Sequence, residues 1–90
     1  MAMIRDFGNC GNYLKRFRVM EAINCAKENK CAMNIILDPL VYTAGTIRFS
    51  EGETAVCEFT CDQDTLYVSR KGSVLTKIPW WDIDRVVLIW

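Results

Sequence analysis

The 90 residues contain no histidine and only two prolines, Pro39 and Pro79. Without an imidazole, neither a Ser-His-Asp nor a Cys-His catalytic arrangement can be assembled from these residues. The commonest zinc ligand is missing for the same reason. No Pro/Gly/Ser-rich tract, repeat or low-complexity segment interrupts the chain, so a single domain spanning 1–90 is expected. No apolar run approaches the roughly 20 residues that cross a bilayer as a helix. Met1 to Asn12 holds no apolar stretch leading to a small-residue cleavage site, so no secretory signal is expected either. Net charge is also absent, with 11 Lys and Arg against 11 Asp and Glu. A dedicated nucleic-acid binder carries a basic excess.

What is present is apolar bulk. Hydrophobic residues make up 51% and charged residues 24%, a globular rather than a disordered balance. The charge is unevenly placed. Residues 1–33 hold six cations and three anions, and residues 34–90 hold five and eight. Five cysteines, an odd number without an export signal, point to reduced thiols in a cytoplasm. Cys10, Cys25, Cys31, Cys57 and Cys61 form no C-x-x-C pair. On one strand Cys57 and Cys61 would share a face but lie about 13 Å apart, at ~3.3 Å per residue. Small buried hydrophobes are the expected role, with no metal and no cofactor.

The pattern predicts an α+β fold: one N-terminal helix packed on an antiparallel sheet of about five or six short strands, which could curl into a partial barrel. Residues 1–12, with Gly8, Asn9, Gly11 and Asn12, read as an irregular arm. A helix over 13–29, capped by Asn12, places Val19, Ala22, Ile23 and Ala26 on one stripe. Tyr13, Phe17 and Met20 form a second apolar patch, which the rest of the fold is expected to wrap. Asn29 is a suitable left-handed residue at the helix end. Residues 32–90 then read as strands joined by tight turns. "MNIIL" ends at "DP", "LVYTAGTIRF" carries an irregularity at Gly45, and "SEGE" is a turn. "TAVCEFTC" and "TLYVS" alternate, "RKG" turns with Gly72 at positive φ, and "SVLTKI" alternates less cleanly. Pro79 ends that strand, "WWDID" is a brief helical step, and "RVVLIW" is the last strand.

Few constellations carry chemistry. "GNCGN" does not follow a strand and lacks the Lys-Ser/Thr of a phosphate loop. Asp62 with Asp64, and Asp82 with Asp84, are paired acids whose expected role is to hold turns. No catalytic residue is assigned and no enzyme is expected. Lys15, Arg16 and Arg18 interleave with Phe17, a composition that can contact nucleic acid. On a helix these three cations do not share one face. The "IPWWDIDRVVLIW" ending is apolar on both sides of its strand. Trp80, Trp81, Trp90, Tyr67, Arg85 and Leu88 supply the aromatic and arginine anchors typical of protein interfaces.

Residues 64–90, with a hairpin followed by "IPWWDIDRVVL", resemble the β-meander of pleckstrin-homology-like and GRAM-like domains. That resemblance implies a lipid- or peptide-binding sheet, with Arg70, Lys71 and Lys77 converging on a basic pocket at one open end. The leading expectation is a small non-catalytic module that binds a protein partner as an inhibitor or adaptor. It would act as a homodimer in the cytoplasm, with a phage or mobile element as its source. A lipid- or peptide-binding module, and a nucleic-acid-binding regulator working through residues 15–18, are the alternatives.

Overall fold

The structure, a computed structural model, describes residues 4–7, 11–38 and 45–90. Its elements run β1 (Ile4–Phe7), α1 (Gly11–Asn29), β2 (Ala32–Leu37), β3 (Thr46–Phe49), α2 (Glu51–Val56), β4 (Glu58–Cys61), β5 (Thr65–Arg70), β6 (Ser73–Pro79), a 3-10 turn (Trp80–Asp82) and β7 (Ile83–Ile89). The fold is α+β and every strand pairing is antiparallel. The strands divide between a four-stranded sheet of order β1-β7-β2-β3 and a three-stranded sheet of order β4-β5-β6.

The long helix follows the anticipated stripe. Val19, Ala22, Ile23 and Ala26 are buried, and α1 lies against β7, β1, β2 and the 3-10 turn. Its end is a two-bond closure in which Cys31 N–H donates to Ala26 O at 3.1 Å and Lys30 N–H to Lys27 O at 3.4 Å. Lys30, not Asn29, takes the left-handed conformation, with φ 53°. Asn29 instead donates its side-chain amide to Cys25 O at 2.8 Å.

Three local expectations are corrected. The arm over 1–12 contains a strand: Ile4 to Phe7 pair with Ile89 to Val86 along the outer side of β7. Local sequence gave no sign of it because the ladder is non-local, drawn by the unpaired backbone of β7. Asn12 is not the cap either, since α1 already begins at Gly11. The third correction concerns "SEGE", which is not a turn but the start of α2. Ser50 accepts from Glu53 N–H, and Glu53 Oε1 accepts from Ser50 N–H, both at 3.2 Å. This reciprocal box satisfies two donors at the helix start. Thr54 sits fully buried in α2 and donates to Ser50 O at 2.9 Å. The strand expected from Thr54 therefore begins only at Glu58.

Residues 39–44, where the strand "LVYTAGTIRF" was expected to begin, lie outside the described residues, and β3 is its far end. Gly45 is pressed against β2: a Cβ there would come 3.1 Å from Leu37 O. The hairpin β5–β6 turns through Lys71 and Gly72, at φ 51° and 81°. Two consecutive positive φ values are what a two-residue hairpin loop requires.

The core fills the space between α1 and both sheets. β2 contributes Met33, Ile35 and Leu37, and β5 contributes Leu66 and Val68. On β7 the buried residues are Ile83, Val86 and Leu88. A register shift at Ile36/Leu37 makes Asp84 the extra residue, so that Ile83 and Val86 reach one face despite their odd spacing. Phe49 and Phe59 join the two sheets edge to face, with centroids 5.4 Å apart. Lys27 sits over Phe59 and donates to Cys57 O at 2.7 Å, fastening α1 to the end of α2.

Candidate protein-binding surfaces

The six anchors expected at an interface do not share one surface. Trp80 is only 4% exposed, and its indole N–H donates to Asp62 O at 3.0 Å. Leu88 is fully buried at the centre of the four-stranded sheet. Both belong to the core, which corrects their assignment to a docking face. Trp90 is half-buried and packs against that core. Tyr67 is half-buried and donates to Asp62 Oδ2 at 2.6 Å. Arg85, also half-buried, pairs with Asp84 at 2.8 Å. Only Trp81 stands out, at 53% exposed. The 3-10 turn separates the two neighbouring indoles, sending one in and the other out.

Asp62 is the hub of this region. Its Oδ1 accepts from Asp64 N–H at 2.9 Å and Thr65 N–H at 2.8 Å, the side-chain turn expected of an aspartate here. The Tyr67 hydroxyl, first, and the Asp64 amide hold the Asp62 carboxyl below its ordinary value. A carboxyl lowered in the folded state stabilises above its unfolded pKa of about 3.9, and that contribution is lost as pH falls through the folded pKa. Tyr67→Phe is expected to move the Asp62 titration upward toward the ordinary value, read by carbon-detected NMR of the carboxyl. An unmoved midpoint would remove Tyr67 as the cause.

The basic cluster is split. Lys15 is buried on the core side of α1. Arg16 lies over the Phe17 ring, 5.0 Å from its centroid, and Arg18 reaches Glu21 at 3.7 Å. Nor do Arg70, Lys71 and Lys77 converge. In the β5–β6 register Lys77 stands opposite Tyr67, while Arg70 stands opposite Ser73. Side chains alternate along a strand, so Lys77 and Arg70 project from opposite faces. β7 also leaves the meander to join the other sheet, between β1 and β2.

Cys57 is buried at the end of α2, whereas Cys61 ends β4 exposed. They do not share one strand as expected, because Cys57 caps α2 and β4 begins only at Glu58. Burial raises the Cys31 thiol pKa, in keeping with a small core hydrophobe. Cys10 lies outside the described residues. Among the described residues no group of three or more Cys, Asp or Glu side chains is arranged to hold a metal ion, and no helix is long and apolar enough to cross a membrane.

Of the second apolar patch of α1, Met20 packs half-buried against the core, the side chain of Tyr13 lies outside the described residues, and Phe17 is left unwrapped. Phe17 is 61% exposed. With Met20, Asn24 and Cys25 it lines a groove of about 700 Å³ that Cys61 closes on the β4 side. Arg16, Glu21 and Glu28 complete the lining, so the groove carries both signs of charge beside its apolar surface. Phe17 and Met20 are three residues apart and share a face on a helix. That part was visible in the sequence; the contribution of Cys61 was not, since it depends on where β4 lies. A further surface was missed. Val74 and Leu75 of β6 are 52% and 59% exposed, and the irregular alternation of "SVLTKI" was its only signal. No family model, curated protein or solved structure matches this chain.

Proposed function

We propose that this chain is a non-catalytic protein-binding module that occupies a partner's surface through the groove on α1. The observation that carries this reading is Phe17, a large apolar side chain left exposed beside an apolar-lined groove. A phenylalanine with room beside it can anchor a partner's apolar side chain, and the mixed-charge lining can orient that partner. An inhibitor or adaptor needs no more than such a surface. An odd number of cysteines with no C-x-x-C pair fits a reducing cytoplasm.

The test places a photo-crosslinking residue at position 17, and at Gln63 as a control, and exposes both to lysate of the source cells. A single protein species captured at 17 and not at 63 is expected. Phe17→Ala is then expected to weaken that complex by roughly 2 kcal/mol, about thirtyfold. Because the side chain is exposed, folding stability should change by no more than about 0.5 kcal/mol. Equal capture at both positions would sink the reading.

Self-association is a second reading, favoured by the outward face of the four-stranded sheet. There Val87, Ile89 and Ile36 are half-buried aliphatic neighbours. Sedimentation velocity decides it: Val87→Asp should convert a dimer to a monomer, and a wild-type monomer at 100-micromolar scale would remove it.

A further inference from the structure

We infer that the free edge of β6 takes an acidic, extended peptide segment of a partner protein, which adds to the three-stranded sheet as a fourth strand. This inference concerns a different surface from the α1 groove and does not rest on it.

β6 pairs with β5 on one side, and no described strand covers the other. Val74 and Leu75 lie exposed along it. Leu75 is the extra residue where the register shifts, since Val68 faces Thr76 and Ser69 faces Val74. A strand edge carries unpaired N–H and C=O groups that another extended chain can satisfy. The identity of that chain follows from charge. Residues 65–81 contain Arg70, Lys71 and Lys77 and no Asp or Glu. All three cations are exposed, and none pairs with a described acidic residue.

Their placement distinguishes an added strand from other anionic ligands. Lys77 and Arg70 project from opposite faces of the sheet. A compact phosphate would need them on one side. An added strand lies in the plane of the sheet and sends alternate side chains to both faces, so its carboxylates meet cations on each. Ser73 opposite Arg70 is small and leaves the guanidinium free to reach across it. A membrane fits less well. The hairpin tip is Lys71–Gly72, with Val74 and Leu75 set back along the strand. Insertion would bury the charge before the apolar pair. A second copy of this chain fits least, because like edges would set these cations against one another.

The experiment is a selection of random twelve-residue peptides, displayed on a carrier, against the whole chain. Enriched peptides should alternate Asp or Glu with β-branched residues and should slow hydrogen exchange of β6 amides. Their affinity should fall roughly tenfold in Lys71→Glu/Lys77→Glu, since each change removes a surface charge pair and sets like charges together. It should fall also in Val74→Thr/Leu75→Thr. These positions are exposed, and circular dichroism checks that the variants remain folded. Phe17→Ala should leave the affinity unchanged, which separates this edge from the groove. Enriched peptides without acidic residues, or protection falling on α1 instead of β6, would overturn the inference. So would no enrichment at all, including the case in which phosphatidylserine vesicles or a DNA duplex bind in place of peptide.

Discussion

Trp80→Ala is expected to destabilise the fold by about 4 kcal/mol, and Trp81→Ala by no more than about 0.5 kcal/mol. The two residues are neighbours of identical chemistry, so the difference isolates environment. Trp80 is buried where the 3-10 turn meets α1, and it fills volume that no smaller side chain could occupy. Its indole N–H donates to Asp62 O, and its backbone N–H donates to Asp64 O at 3.1 Å. The first bond disappears in the alanine variant, leaving the Asp62 carbonyl short of a donor beside a new cavity. Because the Asp62 turn joins β4 to β5 while the 3-10 turn joins β6 to β7, loosening this point uncouples the two sheets. For a domain of this size, about 4 kcal/mol corresponds to a melting temperature lower by roughly 20 °C. Trp81, with half its surface in water already, loses little. Differential scanning calorimetry of both variants is the measurement, and equal shifts would contradict the placement of the two rings.

The sequence carried the elements whose causes are local. The α1 stripe of Val19, Ala22, Ile23 and Ala26, the inward pair Leu66 and Val68, the positive φ at Gly72 and the strand end at Pro79 depend on periodicity and backbone chemistry within a few residues. The reciprocal Ser50–Glu53 cap was local too. It does not stand out because "SEGE" also has turn composition, and the alternation of residues 54–61 favours a strand. Other features were not legible because their causes lie far along the chain. β1 exists because β7 has an unpaired side. The bulge at Asp84 brings Ile83 onto the inward face with Val86 and Leu88, while Val87 and Ile89 keep the outward face apolar. Dividing the strands into two sheets around one helix gives the interior more room than a single layer offers. This room shelters Trp80 and Leu88, and it moves the exposed apolar surface from the C-terminal strand to Phe17 on α1 and to Val74 and Leu75 on β6.

Leu88 tests that division of the core most directly. As an interface residue it would be dispensable to a monomer. As a core residue at the centre of the four-stranded sheet, its replacement by alanine should remove about 3 kcal/mol of stability. Leu88 faces Met33 on β2 and lies opposite position 5 on β1, so its backbone is held from both sides. Neither neighbour can move inward without breaking ladder bonds, so the space left by the side chain cannot close by collapse. The remaining cavity adds to the lost transfer energy. Against a total stability of roughly 5–10 kcal/mol for a domain of this length, that is a large fraction. Leu88→Met preserves the volume and should lose less than about 1.5 kcal/mol. Ile89→Ala, on the half-buried face of the same strand, should fall well short of the Leu88→Ala effect. Urea unfolding measures all three, with the midpoint shifting and the slope unchanged if two-state behaviour holds. If Leu88→Ala left the midpoint in place, β7 would not be the central strand of this sheet, and the interface role would return to the C-terminal residues.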